Sequence, residues 1–210
     1  MSTSQQRRTR ERAETRQLIL DAAREMFVEH GYEATTMRAI ADRIEYTPTA
    51  IYHHFKNKQE LLTELCRADF LALASAFQRI GQIDDPIARL RQLGAAYIAF
   101  ALEHPMQYQF LFMTRHPNVD EDTGITQGDV SEDAYAFLRQ TCADVIDTGL
   151  LRPELRDADE LAQIAWGALH GLLSLHIIKR DSERIEWRNP EKTARRICDL
   201  VMLGMLKDER

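Results

Sequence analysis

The segment from Thr35 to Lys58 constrains the fold of this chain most, because two short apolar-periodic stretches are joined there by a tight connection. In the first stretch apolar residues recur at helical spacing, at Met37, Ile40, Ala41 and Ile44. The second begins with Thr47 as a candidate N-cap and Pro48 at the first helical position, where the missing N–H of proline costs nothing. The pattern therefore predicts two consecutive short helices.

The second of these helices has an inward and an outward face. Ile51 and Phe55 are predicted to point inward, and the outward positions are Thr49, Ala50, Tyr52 and His53. At 1.5 Å per residue the helix is only about 10 Å long, so it depends on other helices for its stability. A short, supported helix with a free outer face fits the major groove of DNA, and the pair predicts a helix-turn-helix.

Charge is unevenly distributed along the chain. The net charge is −6, but residues 1–58 hold ten Lys or Arg against eight acids, whereas residues 59–210 hold seventeen against twenty-five. Five arginines crowd a polar start that lacks large apolar residues: Arg7, Arg8, Arg10, Arg12 and Arg16. We expect a disordered basic arm over residues 1–10, which either contacts DNA phosphates or a minor groove or is a solvated tail without a role.

Cysteine usage and the longest apolar stretch both indicate a cytoplasmic protein. Three widely spaced cysteines, with no secretory signal before them, fit a reducing compartment better than a disulfide framework: Cys66, Cys142 and Cys198. Residues 161–178 are interrupted by polar side chains and barely reach the ~20 residues of a bilayer span. We interpret this stretch as a buried helix in water, with no membrane partner.

Helical periodicity accounts for every strong segment, and no convincing alternating strand pattern is present. Gly31 is expected to end the first helix as a C-terminal cap in the left-handed (αL) conformation, and Thr35 or Thr36 to cap the second. Beyond the helix-turn-helix, predicted helices span residues 11–30, 58–80, 86–104, 106–113, 130–149, 158–180 and 190–207, with a loop at 114–129. The chain is predicted to be all-α.

Four pieces of the N-terminal region, in order, resemble the tetracycline-repressor (TetR) family of transcriptional regulators. They are Ile19, Ala22, Ala23 and Phe27 leading to Gly31-Tyr32; Thr35-Thr36 with Ile40-Ala41; Ile51 to Phe55; and Lys58 with Glu60-Leu61-Leu62. The resemblance implies a DNA-binding domain over residues 11–60 and an effector-binding and dimerisation domain over residues 61–210. One departure is Glu45-Tyr46-Thr47, where the family usually has Gly-Val-Ser. A residue other than Gly at a turn position with positive φ is strained, so Glu45 is expected to be strained or the turn rearranged.

A second resemblance concerns the C-terminal region. Residues 99–105 and 108–112, together with Trp166 and His170-Gly171, are similar to the TetR subgroup whose C-terminal domain is named for its Trp, His and Gly. It implies a ligand pocket beside the kink at Pro105. The candidate effector-binding residues are Tyr97, Phe100, Met106, Tyr108, Phe112, Trp166 and His170. Each of these is also a plausible core residue.

The family resemblance also implies how the helix-turn-helix contacts DNA. Base edges would be approached by Thr47, Pro48, Thr49, Ala50 and His53, and phosphates by Thr36, Arg38, Tyr52, His54 and Lys58. Hydroxyl, methyl and imidazole groups suit base edges, and phosphate contacts fix the register without encoding sequence. The alternative is that Thr47 and Pro48 only cap the helix, that Tyr52 packs on the preceding helix, and that His54 is structural.

The predicted helix at 158–180 is apolar nearly all round and must therefore be covered on two sides. A partner subunit would cover one side, and Gly167 and Gly171 would let another backbone approach closely. The candidate dimer contacts on this helix and the last one are Leu161, Gly167, Gly171, Leu175, Ile197 and Val201. A thick monomer core is the alternative. A symmetric dimer would match the two half-sites of a palindrome.

Enzyme chemistry finds little support in the sequence. It contains no Glu-x-x-His or His-Glu-x-x-His motif, no phosphate-cradling Gly loop and no nucleophile elbow, so no catalytic residue, cofactor or metal is predicted. The expected function is a ligand-responsive transcriptional regulator. It would be a repressor that binds a palindromic operator as a homodimer and is released by a small, largely apolar effector. The alternatives are a helical protein-interaction module and a regulator without a small-molecule effector.

Overall fold

The computed structural model describes residues 3–117 and 123–207. Its helices are α1 (Thr3–Ala34), α2 (Met37–Arg43), α3 (Pro48–Tyr52), α4 (Lys58–Gln78), α5 (Pro86–Glu103), α6 (Pro105–Met113), α7 (Ala134–Asp147), α8 (Ala158–Lys179) and α9 (Pro190–Met205). Across these residues, β-type pairing is limited to an isolated bridge between Leu151 and Leu206. The predicted all-α class is confirmed.

Local capping chemistry determines where most of these helices begin. The hydroxyl of Thr36 accepts from the backbone N–H of Ala39, so Thr36 rather than Thr35 caps α2. Thr47 caps α3 as predicted, with Pro48 in the first turn. The later helices begin after side-chain caps in the same way, at Asp85, Asp133, Asp157 and Asn189.

The first helix begins much earlier than predicted. Residues 3–10 are helical rather than a disordered arm. Arg7 pairs with Glu11 at 3.3 Å and Arg10 with Glu14 at 2.7 Å, and such pairs one turn apart support a helix that composition alone did not predict. Gly31 interrupts the helical backbone with φ 80° and ψ 164°, a region essentially restricted to glycine, so the αL conformation predicted for it is wrong.

The chain divides into two compact units, and α4 belongs to both. The first unit comprises residues up to 69 together with 109–124, and the second comprises 70–108 and 125 onward. The first unit is therefore larger than the predicted DNA-binding domain. Phe110 ties the added segment to it, since this residue is fully buried and stacks on Phe27 with ring centroids 6.2 Å apart. Its core also contains Ile19, Ile40, Ile51, Phe55, Leu61 and Leu65.

A buried ion pair joins α1 to α4 within the first unit. Asp69 is only 1% exposed, and its two carboxylate oxygens accept from Nε and Nη2 of Arg24 at 2.7 and 2.8 Å. Nη1 of the same guanidinium donates to Asp21 at 2.7 Å. This bidentate geometry satisfies both buried charges.

The second unit has its own hydrophobic core, built from α5, α7, α8 and α9. The buried residues of this core are Leu90, Cys142, Val145, Leu151, Leu161, Ala162, Met202 and Met205. By length and composition α8 could also cross a bilayer, which is weak evidence because a core helix of a water-soluble domain meets the same criteria. Its buried positions, such as Leu169 and Leu173, place one face of α8 inside the unit.

Candidate nucleic-acid interface and effector site

The orientation predicted for α3 is confirmed. Ile51 is completely buried and Phe55, just after the helix, is 1% exposed. Thr49 and His53 are exposed, and Tyr52 is 52% exposed. The outer surface of α3 is therefore free, while its inner surface is fixed in the core of the first unit. Of the other residues predicted at base edges, Thr47 is exposed and Pro48 and Ala50 are half-buried.

The turn between α2 and α3 contains the predicted strain. Glu45 has φ 59°, which places a residue with a Cβ atom in the left-handed region. Tyr46 then donates its backbone N–H to the carbonyl of Ala41 at 2.9 Å, which closes the turn. The glycine usual in the family is absent here, yet the turn has the backbone conformation that glycine favours.

Replacing Glu45 by Gly is expected to stabilise the protein. The substitution relieves about 1–2 kcal/mol of strain from the left-handed backbone. This exceeds the free-energy cost of ordering the more flexible glycine backbone on folding, so we expect the free energy of unfolding to rise by about 0.5–1 kcal/mol. Urea denaturation measures the difference. The neighbouring Tyr46→Gly variant is the control and should lose stability, since Tyr46 has negative φ. A Glu45→Gly protein no more stable than wild type would argue against strain in this turn.

Two of the predicted phosphate contacts lie on the solvent side of α2. Thr36 is exposed at the N-terminus of the helix, and Arg38 is exposed with only a loose contact of 4.0 Å to Asp42. Both groups are available to an anion at the surface of the first unit. Their contact with phosphate, like that of Tyr52, stays a prediction.

Lys58 has internal bonds that the sequence did not predict. Its ammonium donates to the carbonyl oxygens of Tyr32 at 2.8 Å, Thr35 at 2.9 Å and Glu33 at 3.5 Å, and it lies 4.1 Å from the centroid of the Tyr32 ring. Lys58 therefore caps the end of α1 from the first turn of α4. A phosphate contact by this side chain would have to replace these bonds, because an ammonium has only three donors.

His54 lies beside α1 rather than fully outward. Its Nδ1 is buried and has no hydrogen-bond partner among the residues described. The pKa of His54 is lowered, and burial is the largest cause. It is lowered further by the positive charges of Arg12 and Arg16 and by the neighbouring His53. Its imidazole therefore lies in a locally basic region. The structural role and the phosphate-binding role of His54 both stay predictions.

Four of the seven predicted effector residues form one hydrogen-bonded network in the second unit. The indole N–H of Trp166 donates to the Tyr97 hydroxyl at 2.9 Å, which donates to the Tyr108 hydroxyl at 3.0 Å. The Tyr108 oxygen is 2.6 Å from Nδ1 of His170. Burial raises the pKa of Tyr97 to about 12 and also raises that of Tyr108, whereas burial lowers the pKa of His170. At neutral pH the network is therefore uncharged, and the imidazole tautomer decides which of Tyr108 and His170 donates to the other.

The remaining three predicted residues lie elsewhere. Met106 is half-buried in the second unit, Phe112 is half-buried in the first, and Phe100 lines a partly open groove of about 280 Å³. The other residues of this groove are Ala72, Ala76, Ala96, Ala99, Glu103, His104 and Gln107. The sequence analysis did not single out these alanines. Two alanines four residues apart on α4 and two alanines three residues apart on α5 are the sequence pattern that could have predicted a gap between these helices.

The predicted dimer contacts are only partly on a free surface. Leu161 is fully buried in the core of its own unit and so cannot belong to an interface, because an apolar pattern does not reveal which side of a helix is already covered. Leu175 is 56% exposed. At Gly167 and Gly171 an added Cβ would meet no described atom within 4 Å. Ile197 and Val201 are half-buried.

Exposed apolar residues on α8 and α9 nevertheless form two stripes. On α8 the exposed positions recur every three or four residues, at Ile164, Gly167, Gly171, Leu175 and Ile178. On α9, Leu200 and Leu203 are 62% and 69% exposed. Apolar surface arranged in this way is typical of a surface that another protein covers.

Comparison with known proteins identifies the family. Residues 19–65 match the family model described as bacterial regulatory proteins, tetR family, and residues 90–199 match the model described as tetracyclin repressor-like, C-terminal domain. A relative from Escherichia coli (strain K12), named as a repressor of the acrEF/envCD operon, is 31% identical over 172 residues, which are 78% of this chain and 76% of the relative. These matches define a helix-turn-helix transcriptional regulator. The chain belongs to the TetR family, as its sequence motifs predicted.

Solved structures share the fold. The ketosteroid transcriptional regulator KstR2 of Mycobacterium tuberculosis aligns over 92% of this chain and 96% of its own, with a TM-score of 0.69 and 22% identity. SmeT, the repressor of the Stenotrophomonas maltophilia multidrug efflux pump SmeDEF, aligns over 92% and 91%, with a TM-score of 0.67 and 24% identity. At these identities the likeness concerns the fold alone. The narrower Trp-His-Gly subgroup stays a prediction.

Proposed function

We propose that this protein is a dimeric repressor that reads a palindromic operator with α3 and is released by a small, largely apolar effector. The observation that carries the proposal is the division of α3 into a fully buried inner face and a free outer face. Membership of a family of DNA-binding regulators supports the same reading. The outer groups are hydroxyl, methyl, phenol and imidazole, all of which can contact base edges or phosphates.

Dimerisation supplies the second reading helix. A single α3 contacts few base pairs, whereas two copies related by a two-fold axis read two half-sites. The exposed apolar stripes of α8 and α9 are the surface that we assign to this contact. Gly167 and Gly171 would allow close approach of the partner at the centre of the α8 stripe.

The alanine-lined groove is the site that we assign to the effector. It lies between α4 and α5 in the second unit, and its alanines leave room for an apolar molecule while Glu103, His104 and Gln107 offer polar contacts. Because α4 continues into the first unit, a ligand that moves α4 changes the support of α3. Such a ligand releases DNA only if it binds the dimer conformation that does not fit DNA more tightly than the conformation that does.

Three alanine variants test how α3 binds DNA. Tyr52→Ala should weaken binding to cognate and scrambled duplexes alike, because a phosphate contact carries no sequence information. Thr49→Ala and His53→Ala should each reduce the preference for the cognate duplex, by about 1–3 kcal/mol for a lost base contact. Fluorescence anisotropy with both duplexes measures the two effects. Equal losses on the two duplexes for all three variants would refute the division of roles.

A further inference from the structure

Two arginines of α1 carry charge that is not neutralised by any residue in the described part of the chain. Arg7 and Arg10 pair with glutamates one turn away, and Arg16 donates to Glu64 at 2.8 Å. Arg8 and Arg12 are exposed, and neither forms an ion pair with any residue that the structure describes. The two lie four residues apart and therefore on one side of α1.

This side of α1 leads to the end of α3. Arg16 is the next residue of the same stripe, and its guanidinium carbon is 4.6 Å from the centroid of the Phe55 ring. Arg12 and Arg16 are both close enough to lower the pKa of His54. From Arg16 to Arg8 the helix rises about 12 Å. Arg8 and Arg12 thus form a basic ridge on the side of α1 that leads, through Arg16, to Phe55 and His54 at the end of α3.

We propose that this basic ridge is a second DNA-binding surface, on which Arg8 and Arg12 each bind one backbone phosphate of the duplex whose groove receives α3. The inference rests on the proposed function and extends it to a part of α1 that precedes the helix-turn-helix. A guanidinium that is free of intramolecular partners can offer its planar donor fork to a phosphate without breaking an existing bond. Beyond residue 58 the chain holds seventeen Lys or Arg against twenty-five acids, so its net charge there does not favour a polyanion.

The salt dependence of DNA binding measures how many phosphates the protein neutralises. Each neutralised phosphate contributes about 0.9 to the slope of log affinity against log salt concentration, so R8A/R12A should lower the slope by about 1.8. The probe is a fluorescein-labelled duplex of mixed sequence, titrated with full-length protein at several salt concentrations. R7A/R10A is the matched control, because it removes the same charge from the same helix at positions whose arginines are already paired. Its slope should stay near that of wild type.

A third variant separates lost contacts from a lost helix. R8K/R12K keeps both charges and should retain the wild-type slope, and far-ultraviolet circular dichroism should give the same helix content for every variant. The inference is overturned if wild type binds the duplex but R8A/R12A keeps its slope, or if R7A/R10A lowers the slope equally. If wild type fails to bind any duplex at low salt, the proposed function fails, and this inference with it.

Discussion

Replacing Leu200 and Leu203 together by Asp is expected to convert the protein from a dimer into a monomer. These leucines are 62% and 69% exposed in the single chain, and the proposed two-fold interface would bury both in each subunit. Burial of a leucine contributes about 1.5–3 kcal/mol, and the symmetry doubles the effect of each substitution. The carboxylates would in addition be desolvated without partners. We expect the dissociation constant of the dimer to rise at least about a thousandfold.

Sedimentation velocity at several protein concentrations measures this change. Val130→Asp is the control, because Val130 is also an exposed apolar residue of the second unit but lies outside the α8 and α9 stripes. It should leave the dimer intact. The monomeric variant should also lose affinity for a palindromic duplex, since each reading helix then binds without its partner. A Leu200→Asp, Leu203→Asp protein that still sediments as a dimer would exclude these stripes as the interface.

Arg24→Ala is expected to cause the largest loss of folding stability. It removes the partner of Asp69, a carboxylate that is 1% exposed and that receives two hydrogen bonds from the guanidinium. Breaking one side of a buried pair leaves an uncompensated charge and costs about 3–5 kcal/mol. Urea denaturation followed by circular dichroism measures the change in the free energy of unfolding.

Two comparison variants show whether the buried charge is the cause. Replacing both partners, as Arg24→Met with Asp69→Leu, should recover most of the lost stability, because no buried charge remains. Arg43→Ala removes exposed ion pairs to Glu25 and Glu29 and should change stability little. If Arg24→Ala unfolds at the urea concentration of wild type, the pair does not stabilise α1 against α4.

Features encoded by neighbouring residues could be predicted from the sequence. The start of α3 follows from Thr47 and Pro48, and the division of its faces follows from the spacing of Ile51 and Phe55. The positive φ of Glu45 is one of the two alternatives that the family resemblance implied, because the family usually has glycine at this place in the turn. Each of these depends on interactions that span only a few residues, so one helical turn of sequence contains the information.

Features that depend on distant residues could not be predicted in this way. The pair of Arg24 and Asp69 joins residues 45 apart in sequence, and periodicity contains no information about such a contact. The burial of Leu161 depends on which helices cover α8, and the internal bonds of Lys58 depend on where α1 ends. The alanine-lined groove was missed because small side chains create a space between helices and leave no motif of their own.

The most direct test of the central claim is selection of bound fragments from a pool of random DNA duplexes at low salt, using the purified protein. Reading by two copies of α3 predicts enrichment of a palindrome with half-sites about one helical turn, or a multiple of it, apart. Repeating the selection with a panel of apolar small molecules should identify compounds that release the enriched fragments. A pool that remains random after repeated rounds would contradict the assignment of α3 as a DNA-reading helix.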